Sequence, residues 1–97
     1  MHAVVRMYAG KGTKELFDVL EKHKPDIEKQ LRGIKGLASF TLVRGGEGGF
    51  SVTVCEDKVG ADESVKAARE WIAKHAASAG AAAPKVSEGP VIMHVKV

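Results

Sequence analysis

The sequence predicts an α+β fold of order β-α-β-β-α-β, a four-stranded antiparallel sheet with two helices on one face. Three observations predict it. Two segments, Leu16 to Ile34 and Val65 to Ala76, repeat apolar residues at helical spacing. Four segments are short and β-prone: His2–Tyr8, Leu37–Arg44, Phe50–Glu56 and Val91–Val97. Between the middle two lies Gly45-Gly46-Glu47-Gly48-Gly49, a hairpin loop in which glycine reaches positive φ without a Cβ clash.

Taken in order, His2 to Tyr8 (HAVVRMY) reads as the first strand, followed by the loop Ala9-Gly10-Lys11-Gly12. Thr13 is the expected N-cap of the first helix, because its hydroxyl can accept a free amide. Leu16, Leu20, Ile27, Leu31 and Ile34 form that helix's apolar stripe, with His23 in line. Pro25 removes a helix hydrogen bond, so it kinks the helix or restarts it with Pro25 in the first turn. Asp62 is the expected N-cap of a second helix ending near Ala77, with Val65, Ala68, Ile72 and Ala76 inward and Trp71 and His75 beside them. Ala76 to Ala83 reads as frayed helix or linker closed by Pro84. Val91 to Val97 is then the last strand. Right-handed crossovers make this a ferredoxin-like arrangement, one domain spanning 1–97.

Composition narrows the function classes. The 97 residues are 44% hydrophobic and 28% charged, the balance of a folded chain. One cysteine, Cys55, rules out an internal disulfide and a cysteine-cluster zinc site, and suits a reducing, cytoplasmic setting. No signal peptide is evident at Met1–Gly10, and no apolar run approaches the roughly 18 residues of a membrane span. From Lys11 to Lys35 seven basic residues alternate with five acidic ones, a solvated surface rather than a phosphate-binding stripe. No nucleic-acid partner is therefore expected. No pair of carboxylates or histidines has metal-ligand spacing.

Side chains alternate faces along a strand. Ala3, Val5, Met7, Phe40, Leu42, Phe50, Val52 and Val54, with Val91, Met93, Val95 and Val97, form an apolar set expected to meet the helices. His2, Val4, Arg6, Tyr8, Ser39, Thr41, Val43, Ser51, Thr53, Cys55, Ile92, His94 and Lys96 form a mixed set expected on the opposite face. That polar face meets water, or it packs on a second copy to enclose a partly polar cavity. Alternation alone leaves both open.

Several phrases carry a resemblance. Val5-Arg6-Met7-Tyr8-Ala9-Gly10, Ile34-Lys35-Gly36-Leu37-Ala38-Ser39-Phe40, Phe50-Ser51-Val52-Thr53-Val54-Cys55-Glu56-Asp57 and Glu63-Ser64-Val65-Lys66-Ala67-Ala68-Arg69-Glu70-Trp71 resemble the dimeric α/β-barrel superfamily, in particular small antibiotic biosynthesis monooxygenase-like proteins. The resemblance implies a homodimer, here through the polar sheet face, with a cavity for a small organic ligand. It implies a cofactor-independent monooxygenase or isomerase, or a non-enzymatic binding or stress-related barrel, since members include proteins without known activity. Haem-degrading relatives use an asparagine with Trp and His, and this chain contains no asparagine. No cofactor is expected.

The candidate catalytic residues are Arg6, Tyr8 and His94. Arg6 can hold a carboxylate or enolate oxygen through paired N–H bonds, and Tyr8, two residues on, can donate to a developing oxyanion. The pair serves equally well as an intersubunit link. His94 would act as general base if the last strand neighbours the first. Thr41, Ser51, Thr53, Trp71 and His75 are the candidate ligand-binding residues, Trp71 and His75 standing one helical turn apart. Gly10-Lys11-Gly12 before a helix is at most a weak anion-binding turn.

Overall fold

A computed structural model describes residues 1–97. β1 (His2–Ala9) lies inside the sheet, antiparallel to β3 (Gly48–Cys55) on one side and β4 (Lys85–Pro90) on the other. β2 (Leu37–Arg44) pairs with the outer side of β3, which makes the order β2-β3-β1-β4. The ferredoxin-like α+β topology is the one expected, although it carries three helices rather than two. α1 (Thr13–Lys22) and α2 (Lys24–Arg32) are separate, because Pro25 restarts the helix in the first turn of α2. α3 (Lys58–His75) is the crossover before β4. No helix is long and apolar enough to cross a membrane.

The caps fall elsewhere than expected. Gly12, with φ +81°, precedes α1 without a side-chain cap, and Thr13 is its first, buried residue. α3 begins at Lys58, where Asp57 accepts a 2.9 Å hydrogen bond from the Gly60 amide; Asp62 lies within the helix.

The last strand is the larger correction. Val91–Val97 has the alternation of a strand, yet the residues paired with β1 are Lys85–Pro90, in register from Met7↔Lys85 to His2↔Pro90. By Pro90 the end of β1 has been reached. A final backbone bond, Val91 N–H to Met1 C=O at 2.9 Å, follows, and the chain then runs past the sheet. Ile92, Met93, Val95 and Val97 are exposed.

The faces are also exchanged relative to expectation. Arg6 opposes Ser51, Val4 opposes Thr53 and His2 opposes Cys55, and residues directly opposite share a face. Val4, Arg6, Tyr8, Ser51, Thr53 and Cys55 are all buried, and this is the face the helices cover. Ala3, Val5, Met7, Phe50 and Val52 turn away, with Met7 54% and Phe50 37% exposed. Phe40 and Leu42 do lie under the helices, because an irregularity between Leu37 and Ser39 sets Phe40 opposite Thr53 and Leu42 opposite Ser51. The dominant signal, apolar residues inward, fails because the face turned away from the helices is apolar too. Under α3 the short side chains have a steric reason. That helix lays Gly60, Ala61 and Ser64 on the sheet, and a Cβ at Gly60 would stand 3.4 Å from that of Cys55.

Two apolar cores result. Tyr8, Leu16, Phe17, Leu20, Trp71 and Ala76 form one, and Val4, Cys55 and Ala61 the other. Along β1 the sequence runs Val4, Arg6, Tyr8: second core, polar side chain, first core. Arg6, with Ser51 beside it on β3, therefore sits between them.

Candidate functional site

The polar gap between the cores opens into a cavity of about 60 Å³ between sheet and helices. β1 supplies Arg6 and Tyr8, β3 supplies Ser51 and Thr53, and β2 supplies Phe40 and Leu42. Leu20 of α1, Ile27 and Leu31 of α2, and Ser64, Ala68 and Trp71 of α3 complete most of the wall. Leu20, Ile27, Leu31, Phe40 and Leu42 also border an open cleft of about 820 Å³ between the first two helices and β2. The chamber and the cleft thus adjoin along these five apolar residues.

The guanidinium of Arg6 is the chamber's principal charge. Arg6 is 6% exposed and its Nε–H has no partner. No carboxylate lines the chamber, and no ion pair of the protein includes Arg6. Its company is the Tyr8 ring, 5.3 Å from the guanidinium carbon to the ring centroid, a cation–π contact. Burial pulls the Arg6 pKa below its usual value, and nearby Arg69 pulls the same way against the opposing influence of Tyr8. Burial pushes the Tyr8 phenol up, and Arg6 counters it. Tyr8 is therefore a neutral O–H donor at neutral pH. Ser51, 2% exposed, also has an unpartnered hydroxyl.

Trp71 lines the chamber from α3. Its Nε1–H donates to Asp26 Oδ2 at 3.2 Å, joining α3 to α2. The His75 ring lies 4.7 Å from the indole between centroids, tilted by 33°, and His23 meets it edge-on at 5.8 Å. Helical spacing showed the Trp71–His75 pair, but His23 and Asp26 belong to this cluster only through the packing of α2, which no local pattern shows.

Of the sequence-derived candidates, Arg6, Tyr8, Ser51, Thr53 and Trp71 are brought together around the chamber. His75 is exposed and outside the lining. Thr41 opposes Val52 on the uncovered face and is exposed. His94 is exposed in the segment beyond the sheet, so it does not neighbour Arg6 across a strand pair.

The fold recurs in proteins of solved structure. A mutant of MhuD with two manganese protoporphyrin IX molecules bound per active site superposes with a TM-score of 0.67 at 22% identity, covering 99% of this chain and 98% of that one. The monooxygenase from ActVA-Orf6 of Streptomyces coelicolor, in complex with nanaomycin D, gives 0.63 at 16% identity over 99% and 91%. SnoaB of Streptomyces nogalater, a cofactor-independent oxygenase, gives 0.56 at 15% over 97% and 94%. At these identities the likeness is one of fold, the ferredoxin-like α+β fold that these proteins share with this chain. No protein-family model and no curated protein matches the sequence. A tetrapyrrole does not fit the 60 Å³ chamber, which is well below the roughly 300 Å³ at which sites for drug-sized ligands begin.

Proposed function

We propose that this protein binds a small organic molecule in the chamber between sheet and helices and oxygenates or isomerises it without a cofactor. The observation that carries this reading is the convergence of Arg6 and Tyr8, a buried cation and a neutral phenol, in an otherwise mostly apolar chamber. Arg6 stabilises negative charge on a substrate oxygen, and Tyr8 donates a hydrogen bond to it. In an oxygenation, a substrate CH₂ and O₂ give C=O and water, so substrate and dioxygen supply all atoms and electrons. The likeness to SnoaB and to the ActVA-Orf6 monooxygenase supports this choice.

The test is oxygen uptake with 1,3-cyclohexanedione, a single-ring compound small enough for the chamber and carrying an acidic CH₂, and no added cofactor. Saturable uptake above the buffer rate, reduced about 100-fold in Arg6→Gln, supports oxygenation. Uptake no faster than buffer rejects it for this substrate class. One observation favours a second reading, a binding protein without chemistry: no His, Asp, Glu or Lys lines the chamber to act as a general base.

The same proposal includes a homodimer, now through the apolar sheet face rather than the polar one, which the helices cover. Met7, Val43 and Phe50 are exposed together there, and a second copy would remove them from water. Sedimentation should show a dimer that Phe50→Lys dissociates; a monomer at micromolar wild-type concentration rejects this part.

A further inference from the structure

We infer that the ligand of the inner chamber is a planar organic monoanion, an aromatic carboxylate, whose two oxygens are held by Arg6 and Ser51. This rests on the reading of the chamber as a ligand site and names what the site selects.

Arg6 is a buried charge without a counter-ion. A guanidinium does not lose its proton at physiological pH, so it cannot escape burial by neutralising. Withdrawing an ion from water costs several kcal/mol even after relaxation, and proteins ordinarily recover this through an ion pair. Every ion pair in the molecule lies elsewhere: Glu88 faces His2, Asp18 faces Lys14 and Arg44, Glu21 faces Arg44, Glu28 faces Arg32, and Asp62 faces Lys58. Arg69 adds further positive charge near Arg6. The cation–π contact with Tyr8 offsets part of the cost and supplies no anion. The Nε–H of Arg6 and the hydroxyl of Ser51 are both buried without partners, and the two residues stand directly opposite on adjacent strands. Two unused donors on one patch of wall fit an anion that brings two acceptors.

The rest of the chamber selects the class. A guanidinium's fork of N–H groups matches the paired oxygens of a carboxylate, and the serine hydroxyl can complete the set. One buried cation neutralises one negative charge, whereas a dianionic phosphate would leave a charge stranded among apolar walls. Leu20, Ile27, Leu31 and Leu42 surround the site with hydrocarbon, and the rings of Tyr8 and Trp71 provide flat surfaces. They favour a planar body over a hydrated inorganic ion.

Trp71 is the sole tryptophan and lines the chamber, so its fluorescence reports occupancy. The experiment titrates the full-length protein with benzoate, benzyl alcohol and sodium chloride at constant ionic strength. Benzoate should change the Trp71 emission saturably, with benzyl alcohol and chloride at least tenfold weaker. Arg6→Met should abolish the preference for benzoate and raise the ligand-free melting temperature, because it removes an unpaired buried charge. Ser51→Ala should weaken benzoate severalfold while the melting temperature holds. Equal binding of benzoate and benzyl alcohol overturns the anion assignment and leaves the ligand-site reading standing. Chloride competing at equal strength overturns the organic class. Binding of neither aromatic probe overturns both the inference and the reading beneath it.

Discussion

The indole of Trp71 donates to the Asp26 carboxylate across 3.2 Å, and no other side-chain hydrogen bond joins α2 to the rest of the molecule. α2 has no fully buried residue and packs through the half-buried Ile27 and Leu31, both part of the chamber wall. A helix held so lightly opens locally at low free-energy cost. Its amides should therefore exchange with deuterium before those of α1 and α3. Asp26→Ala should speed α2 exchange further and lower stability by about 1 kcal/mol, the usual worth of one hydrogen bond. Exchange in α2 as slow as in α1 would show that α2 is held by more than its Trp71–Asp26 bond and two half-buried side chains.

Tyr8 is the sole tyrosine, so phenolate absorbance titrates one group. Burial raises its pKa above 10.0 and Arg6 restrains that rise. The sign follows: stability from the buried neutral phenol is fully present below the unfolded value near 10, and is lost as pH rises through the folded value. In the folded protein the ionisation midpoint should lie above that of a free tyrosine, and Arg6→Gln should move it higher by removing the cation that favours phenolate. A midpoint that falls in Arg6→Gln would contradict the contact between the two residues.

Cys55 is fully buried between Val4 and Ala61, and desolvation raises its thiol pKa. At pH 7.5 the native protein should resist iodoacetamide for as long as it stays folded, and denaturant should expose one thiol. Labelling at the rate of a free thiol under native conditions would place Cys55 at the surface.

These residues also mark what the sequence could and could not convey. Helical period and the glycine loop reported the βαββαβ order directly, since each is a local property of the chain. Arg6 and Tyr8 could be paired as neighbours on one strand face, because two-residue spacing is also local. The side that face meets depends on which apolar surface the helices take. Val5, Met7, Phe50 and Val52 offered one as convincing as Phe40 and Leu42, and the irregularity near Ala38 that put Phe40 opposite Thr53 left no sign in the alternation. His94 failed for a related reason: Ile92 to Val97 alternates better than Lys85 to Pro90, but strand pairing follows the register on β1, whose end is reached at Pro90. His23 and Asp26 reach Trp71 only because α2 restarts at Pro25 and folds back toward α3.

Gly49 is where the first core meets the hairpin, and it tests that packing directly. A Cβ there would run into the ring of Phe17 and come within 2.5 Å of the Val43 carbonyl oxygen. Phe17 is 1% exposed and makes an edge-on contact with Tyr8 at 5.9 Å, so it has little room to withdraw without disturbing the chamber's phenol. Backbone on the other side cannot yield cheaply either. Gly49→Ala should therefore destabilise by about 1–3 kcal/mol, the range for overfilling a packed site, and alter Tyr8 ionisation as Phe17 shifts. Gly46→Ala, in the same hairpin but with open space around its Cβ, is the control and should change stability by less than about 0.5 kcal/mol. Equal melting temperatures for the two variants would mean that Phe17 does not pack on β3 at Gly49, and the wall that carries Tyr8 into the chamber would have to be built differently.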